Sequence, residues 1–229
     1  MSSKRLPGKS LAKIGEHFLL EWVILRILSQ YKSDEIFLAT TINKNDDQLV
    51  GLAEKYGLNI FRGQENNVLS RFQSVAKLVG SNQMLARVCA DNPFVSASLL
   101  VKTEKYCQIN DLDYCHSLKD LPVFPYVDGL GSEVFKSEAI LRLQNYKLSL
   151  SNREHVTSFM RTNFNLFKID GVPTPIKYRF PKISLDVDTL NDLSDIRNLV
   201  QQYKLTPFTD DIEIIKAANN FVDSSTIKN

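Results

Sequence analysis

The stretch Ile36-Phe37-Leu38-Ala39-Thr40 decides the fold, because it is an apolar run of strand length followed by a helical pattern and a second strand. The apolar residues after it predict a helix near Asp46–Tyr56 and a strand over Asn59–Phe61. A strand, a helix and another strand in this order are typical of two parallel strands joined by a crossover helix.

The same alternation extends in both directions from this unit. Before it, Leu19–Leu28 carries apolar residues at helical spacing. After it, the pattern predicts a helix near Val68–Val79, a strand at Met84–Ala90, a helix near Ser96–Gln108 and a strand at Leu112–His116. The alternation predicts an α/β fold with a mostly parallel, Rossmann-like sheet and helices on both faces. Ligands of such folds bind at the carboxyl ends of the strands.

The composition excludes several classes of function. The chain has 229 residues, 43% of them hydrophobic, and a net charge of +2, which suits a soluble chain with one large domain or a domain and a lobe. So small a charge argues against binding nucleic acid through bulk charge. The best apolar stretch, Phe18–Leu28, is interrupted by Glu21 and Arg26, so it predicts a buried helix and no membrane span.

The three cysteines indicate the compartment. They are odd in number and show no C-x-x-C spacing, so we expect reduced thiols. The sequence also opens without a signal-peptide pattern. We therefore expect a cytoplasmic protein.

The segment Ser3-Lys4-Arg5-Leu6-Pro7-Gly8-Lys9-Ser10 combines three cations, two hydroxyls and a Pro-Gly turn ahead of an amphipathic helix. Gly8 lets backbone N–H groups approach an anion, the start of the following helix adds positive potential, and Arg5 and Lys9 supply full charges. These features indicate a polyphosphate site; the alternative is a solvated basic tail. A Walker A loop does not fit, since its first glycine would fall on Ser3 and no strand precedes it.

Acidic residues follow two predicted strands. The run from Met84 stops at Asp91-Asn92-Pro93, where proline cannot continue the ladder. Asp91 is therefore predicted to project into the ligand crevice, and the alternative is a simple turn aspartate.

The second acidic place is Ile183-Ser184-Leu185-Asp186-Val187-Asp188-Thr189. A strand period of two puts Asp186 and Asp188 on one face, roughly 6–7 Å apart, which suits a divalent metal. Thr189 and Asp192 form a capping-box pattern before an apolar-striped helix. The alternative is that Asp188 or Thr189 only caps this helix.

Seven motifs in this order resemble the cytidylyltransferases that activate acidic sugars. The resemblance is strongest to the SpsF-like (spore coat polysaccharide biosynthesis) branch, with acylneuraminate and 3-deoxy-manno-octulosonate cytidylyltransferases as relatives, and it runs from Ser3 to about Leu199. The motifs are Arg5-Leu6-Pro7-Gly8-Lys9, Ala39-Thr40-Thr41 with Asp46-Asp47, Phe61-Arg62-Gly63, Val68-Leu69 with Arg71-Phe72, Ala90-Asp91-Asn92-Pro93-Phe94, Arg153-Glu154-His155-Val156-Thr157 and Asp186-Val187-Asp188-Thr189.

The resemblance implies transfer of CMP from CTP to an acidic sugar of nonulosonate or 3-deoxy-octulosonate type, with release of pyrophosphate, for surface polysaccharide biosynthesis. It assigns the triphosphate and catalysis to Arg5 and Lys9, with Asp91 also catalytic, and it assigns Mg²⁺ to Asp91, Asp186 and Asp188. It implies that Arg153 and His155 face the substrate, with a structural role as the alternative. The other substrate-binding residues that it implies are Ser3, Gly8, Arg71, Asn92 and Glu133.

The resemblance also implies a domain organisation. We expect one nucleotidyltransferase domain over 1–229, with 118–182 as an inserted lobe that carries sugar specificity and the contact of a homodimer. Two positions depart from the family pattern: Gly131-Ser132 before Glu133-Val134-Phe135, and Asn67, where many relatives carry an aspartate.

The start of the chain departs most from the family pattern. Relatives begin with an apolar strand that ends in Ala-Arg before the basic loop, whereas this chain opens at Met1-Ser2-Ser3-Lys4. We therefore expect the first, central strand of the sheet to be missing, either because the protein starts further upstream or because this copy is degraded. One alternative that follows is a catalytically impaired paralogue that binds nucleotide sugars. A second alternative, which rests on the base-contacting loops and not on the start of the chain, is a nucleotidyltransferase of the same fold that uses UTP or GTP.

Overall fold

The computed structural model describes residues 5–118, 126–180 and 182–226. Within them the strands are β1 Lys13–Ile14, β2 His17–Phe18, β3 Phe37–Thr41, β4 Asn59–Gly63, β5 Met84–Arg87, β6 Tyr114–His116, β7 Glu133–Lys136 and β8 Ile169–Gly171. The α-helices are α1 Leu19–Leu28, α2 Asp47–Lys55, α3 Val68–Val79, α4 Ala97–Ile109, α5 Ser137–Arg142, α6 Leu150–Glu154, α7 Ser158–Arg161, α8 Leu190–Tyr203 and α9 Asp211–Thr226. None of these helices has the length and apolar character that a membrane span requires.

The predicted strand–helix–strand unit is confirmed as β3, α2 and β4. β3 and β4 are parallel, with Phe37 opposite Asn59 and Thr41 opposite Gly63. α1, α3, α4 and β6 also lie where the periodicity predicted them, within one or two residues at most ends. β5 is shorter than expected and ends at Arg87, since the next residues turn: the Asn92 N–H donates to the Cys89 carbonyl.

The α/β class is confirmed, but the sheet is mixed. Four strands lie in the order β5-β7-β6-β8, where β7 is antiparallel to both neighbours and β6 is parallel to β8. Both β7 and β8 come from the segment 118–182. This segment is therefore not simply a lobe beside the sheet: it supplies two strands to it, and α5, α6 and α7 follow β7.

Helices cover both faces of this sheet, as predicted. Successive residues of a strand point to opposite faces. Val134 and Cys115 accordingly pack in the cluster that includes residues of α1, α4, α8 and α9, whereas Phe135 and Tyr114 pack in the cluster with residues of α3, α5 and α7. Each face thus has its own hydrophobic core.

The sheet is divided between β3 and β5. Within the described ranges, β3 pairs with β4 alone and β5 with β7 alone, so each keeps one unpaired edge. Ala86, in the interior of β5, is exposed. The expected but missing central strand would lie in this division, between β3 and β5.

The chain between the basic loop and α1 differs from the expectation that a long helix follows the loop directly. Lys9–Leu11 forms one turn of 3₁₀-helix, and the antiparallel pair β1 and β2 intervenes before α1 begins at Leu19. The helix start at Lys9 is therefore short, and most of the positive potential of the loop comes from its side chains.

A buried ion pair ties α9 to the body of the fold. The guanidinium of Arg26 lies 2.6 Å from Asp211, and both side chains are less than a tenth exposed. Asp211 also accepts hydrogen bonds from the hydroxyls of Ser96, Ser98 and Tyr178. α1, the start of α4 and α9 thus share one carboxylate.

Candidate active site

The basic loop places one ammonium group at the centre of the candidate site. Gly8 has φ 73°, the left-handed conformation that glycine adopts without strain, and it turns the chain into Lys9. The Lys9 side chain is 14% exposed. Its Nζ donates to Asp91 at 2.8 Å, to the Val187 carbonyl at 2.9 Å and to Asp188 at 3.0 Å.

The two acidic motifs found in the sequence meet at this lysine. Asp91 lies in the turn after β5, and its carbonyl accepts a hydrogen bond of 2.9 Å from the Val187 N–H. That backbone contact holds Asp188, the next residue, beside Asp91. The structure therefore brings together Lys9, Asp91 and Asp188, three of the residues that the sequence singled out.

Two cations, Arg5 and Lys9, are paired with two carboxylates, Asp91 and Asp188, within the site. Arg5 donates to the second carboxylate oxygen of Asp188 at 2.6 Å, with the Arg5 side chain 65% exposed. Burial alone would lower the pKa of Lys9, but the attraction and hydrogen bonds of Asp91 and Asp188 outweigh burial, so its pKa is raised. Lys9 therefore remains a cation at neutral pH.

Asp186 does not join this cluster. The run from Ile183 to Asp188 is not a regular strand: Ser184 forms an isolated bridge with Asp128. The predicted alternation holds nonetheless, because Ile183, Leu185 and Val187 are all buried. The Asp186 carboxylate accepts a hydrogen bond from the Ser184 hydroxyl instead of approaching Lys9.

The helix cap is made by Thr189 and Asp192, so Asp188 is free for the site. The Thr189 hydroxyl accepts from the Asp192 N–H, and the Asp192 carboxylate accepts from the Asp188 and Thr189 N–H groups. This is the predicted capping box. The Asp188 carboxylate itself points to Arg5 and Lys9.

The donor chemistry of the site fits a hard divalent cation. In the described part of the chain, no group of three or more His, Cys, Asp or Glu side chains is arranged to hold a metal. Asp91 and Asp188, however, present carboxylate oxygens to one shared ammonium. One or two carboxylates, completed by substrate phosphates and water, are the ligands with which proteins usually hold Mg²⁺.

Glu133, predicted to bind substrate, is engaged inside the protein. It is 3% exposed and accepts hydrogen bonds from Arg87, from the Tyr114 hydroxyl at 2.7 Å and from the Thr157 hydroxyl. Burial alone would raise the pKa of Glu133, but Arg87, Thr157 and Tyr114 outweigh it and lower the pKa. The prediction that Glu133 contacts substrate directly is therefore wrong for this structure, because Arg87, Tyr114 and Thr157 already bind its carboxylate.

The Glu133 cluster instead anchors the segment 153–157. Thr157 holds the segment to the amino end of β7, which is paired with the carboxyl ends of β5 and β6. Val156, buried and β-branched, has φ 37°, a conformation that costs free energy and is found where surrounding structure imposes it. Arg153 and His155 are exposed in the same segment.

The other predicted residues have mixed outcomes. Ser3 lies outside the described residues. Asn92 makes the turn after β5, where its carbonyl accepts from the Val95 N–H. Arg71 is 8% exposed, its Nε has no hydrogen-bond partner in the described structure, and the charges of Asp46 and Glu65 act on it.

Sequence reasoning missed the groups that support the site. Arg87 lies in a predicted strand among apolar residues, and a cation there is a signal of a buried partner. Asp46 accepts hydrogen bonds from the hydroxyls of Thr40 and Thr41 and so fixes the end of β3. Thr40, Thr41 and Asp46 stand in one of the seven motifs, but the motif did not predict these hydrogen bonds.

Comparisons with known proteins identify the family of the chain. Residues 1–214 match the family described as Cytidylyltransferase. The spore coat polysaccharide biosynthesis protein SpsF of Bacillus subtilis is 30% identical over 231 residues, covering 99% of this chain and 93% of that protein. An uncharacterized protein of Methanocaldococcus jannaschii is 36% identical over 203 residues, covering 89% of this chain and 81% of that protein.

Solved structures show the same fold. A cytidylyltransferase from Leptospira borgpetersenii has a TM-score of 0.87 at 22% identity and covers 100% of this chain and 93% of its own. A CMP:2-keto-3-deoxy-manno-octonic acid synthetase complexed with CTP has a TM-score of 0.61 at 15% identity, covering 89% and 95%. The family match and the SpsF relative show that the chain belongs to the cytidylyltransferase family of nucleotidyltransferases, as its motifs indicated.

Proposed function

We propose that this cytidylyltransferase transfers CMP from CTP to an acidic sugar of nonulosonate or 3-deoxy-octulosonate type and releases pyrophosphate, in surface polysaccharide biosynthesis. The observation that carries the proposal is the position of Lys9, which bonds Asp91 and Asp188 at once behind the left-handed Gly8. A cation held between two carboxylates, directly after a left-handed glycine turn, suits a metal-bound triphosphate.

In the transfer, a sugar hydroxyl oxygen bonds to the α-phosphorus of CTP. The bond between that phosphorus and the bridging oxygen breaks, pyrophosphate leaves with the electron pair, and the hydroxyl proton passes to solvent. Lys9 and Arg5 stabilise the negative charge that grows on the leaving pyrophosphate. To do so, Lys9 exchanges its carboxylate partners for phosphate oxygens.

Asp91 and Asp188 are the residues that would hold Mg²⁺. When bound there, the ion neutralises negative charge on the phosphate oxygens. Asp186 lies two residues before Asp188, and its carboxylate accepts a hydrogen bond from the Ser184 hydroxyl. It contributes negative charge to the site without contacting Lys9.

The segment 118–182 is proposed to carry sugar specificity and the contact of a homodimer. Leu150 and Phe164 in this segment are 81% and 74% exposed, so both offer apolar surface to an interface. We place the reaction in the cytoplasm, where the free thiols of Cys89, Cys107 and Cys115 stay reduced.

One observation favours a second candidate, a paralogue that binds nucleotide sugars without turnover. The sheet is divided between β3 and β5, next to the turn that holds Asp91. Such a protein would bind CTP and release no pyrophosphate.

The experiment that tests the proposal measures pyrophosphate release with CTP, UTP, GTP and ATP, each with a panel of 2-keto-3-deoxy sugar acids and Mg²⁺. We expect CTP to be the only nucleotide that gives pyrophosphate release, and we expect that release with at least one of the sugar acids. Faster release with another nucleotide would identify a different nucleotidyltransferase. CTP binding without release by folded protein would support the non-catalytic candidate.

A further inference from the structure

The two carboxylates proposed to hold Mg²⁺ are bonded to cations of the protein itself. The Lys9 ammonium bonds one oxygen of Asp91 at 2.8 Å and one oxygen of Asp188 at 3.0 Å. Arg5 bonds the other oxygen of Asp188 at 2.6 Å. Three of the four carboxylate oxygens are thus bonded to a cation. A divalent ion competes with Lys9 for these oxygens and is also repelled by its charge.

Lys9 uses its full donor capacity where it lies. An ammonium group has three N–H donors, and those of Lys9 bond to Asp91, to Asp188 and to the Val187 carbonyl at 2.9 Å. The Lys9 side chain is only 14% exposed. A largely buried charge that loses its partners is strongly destabilised. Lys9 is therefore expected to leave the carboxylates only when a ligand offers it other negatively charged oxygens, as a triphosphate does.

The two cations of the site hold the carboxylates in different ways. Arg5 is 65% exposed and bonds the outer side of Asp188, so solvent screens this pair. Lys9 is enclosed and contacts both carboxylates at once. Its side chain has a flexible stem and rotatable donors, so the ammonium can move to a new partner without movement of the backbone. Lys9 therefore has the stronger influence on which cation the carboxylates bind.

We propose that Lys9 controls the access of Mg²⁺ to Asp91 and Asp188: it keeps metal affinity low in the nucleotide-free protein, and the triphosphate raises that affinity by drawing the ammonium away. The inference rests on the proposed function and deepens it, because it makes metal binding depend on the nucleotide. The apparent metal affinity falls with the fraction of protein in which Lys9 occupies the carboxylates. Because coupling between two ligands is reciprocal, Mg²⁺ should raise nucleotide affinity by the same factor.

The test measures binding of Mn²⁺ to the nucleotide-free protein, from the electron paramagnetic resonance signal of the free ion. Mn²⁺ takes the same oxygen ligands and octahedral geometry as Mg²⁺. The proteins compared are wild type, Lys9→Met, Lys9→Gln, Arg5→Met and Lys77→Met. Lys9→Met removes the ammonium and keeps an unbranched side chain, and Lys9→Gln keeps a neutral donor for the carboxylates in case the first variant does not fold. Lys77, an exposed cation on α3, is the matched control.

We expect folded Lys9→Met to bind Mn²⁺ about tenfold or more tightly than wild type, although the same substitution removes a nucleotide contact. Lys9→Gln should also gain affinity, Arg5→Met should gain much less, and Lys77→Met should bind Mn²⁺ as weakly as wild type. No gain in folded Lys9 variants would overturn the inference. A gain in Arg5→Met equal to that in Lys9→Met would also overturn it, because net charge and not occupancy by Lys9 would then control metal binding.

Calorimetry with a non-hydrolysable CTP analogue separates this inference from the proposed function. Mg²⁺ should raise the affinity of the analogue more in wild type than in Lys9→Met, whose carboxylates need no release. Mg²⁺ also binds the analogue in solution, and that contribution is the same for both proteins. If the analogue binds wild type but the Lys9 variants gain no Mn²⁺ affinity, the inference fails and the nucleotide site stands. If the analogue does not bind wild type, the proposed function fails.

Discussion

The ammonium nitrogen of Lys9 lies 2.8 Å from a carboxylate oxygen of Asp91, although the two residues are 82 positions apart in the chain. The contact joins the basic loop to the turn after β5. With Asp188 on its other side, Lys9 neutralises two carboxylates that would otherwise repel each other. The three charged groups therefore depend on one another, and replacing any one of them should change the interactions of the other two.

Asp188 and Asp186 should differ in their importance for turnover. Asp188→Asn removes the charge that faces Lys9 and Arg5, so Mg²⁺-dependent turnover should fall by about a hundredfold or more. Asp186→Asn removes a charge bonded to Ser184, so the loss should be smaller. Steady-state rates at several Mg²⁺ concentrations measure both.

A melting temperature close to that of wild type is the control for each variant. Equal losses in the two variants would mean that Asp186 moves into the site during turnover. Near-normal turnover in folded Asp188→Asn would contradict the metal assignment.

Asp46 should make stability depend on pH in the acid range. Burial alone would raise its pKa, but hydrogen bonds from Thr41 and Thr40 outweigh burial and lower the pKa to about 2. Because the folded pKa is below the unfolded value of 3.8, the stabilisation is complete above about pH 5 and is lost as pH falls through 3.8 towards 2. The contribution is on the order of 2 kcal/mol.

Urea unfolding of wild type and Asp46→Asn between pH 5 and 2 measures this contribution. The two free energies of unfolding should differ most at pH 5 and converge near pH 2. A constant difference across the range would show that Asp46 does not titrate as described.

The buried carboxylate of Asp211 should be essential for stability. Asp211→Asn leaves the Arg26 guanidinium buried beside a neutral group, and breaking a buried ion pair in this way costs about 3–5 kcal/mol. Asp195→Asn, on the exposed face of α8, is the matched control and should be neutral. Similar unfolding midpoints for the two variants would show that the Arg26 contact contributes little.

The open edges of β3 and β5 should accept a strand supplied ahead of the basic loop. A strand of about 5–6 residues rich in Ile and Val would pair with both edges and bury apolar side chains, each adding about 1.5–3 kcal/mol. The melting temperature should rise and aggregation should fall, since unpaired edges favour association. A Gly/Ser extension of equal length is the control, and equal melting of the two extended proteins would contradict this account of the sheet.

Local patterns in the sequence were enough for most elements and for the site residues near them. The helix over Val68–Val79 was predicted at both ends because its apolar stripe and its flanking residues agree. Asp91 could be predicted because Asn92 and Pro93 mark the end of the extended run that precedes it. Gly8 could be predicted because a left-handed turn has a distinctive residue preference.

Long-range pairing could not be predicted in the same way. Nothing local to Glu133-Val134-Phe135 says that β7 lies antiparallel between β5 and β6, or that Glu133 meets Arg87 and Thr157. Asp186 and Asp188 share one face by periodicity, yet only Asp188 reaches Lys9, because Ser184 binds Asp186. Register and side-chain competition of this kind depend on tertiary contacts.

The most direct test of the central claim is CTP binding and turnover by Lys9→Ala, compared with wild type and with Lys77→Ala, which removes an exposed cation from α3. Loss of a charged hydrogen bond costs about 1.5–3 kcal/mol, so calorimetry should show CTP affinity reduced by about tenfold or more. CTP-dependent pyrophosphate release should be nearly abolished, while sugar-acid binding and the Lys77→Ala protein stay as wild type. Unchanged CTP affinity in folded Lys9→Ala, or an effect confined to the sugar acid, would contradict the account.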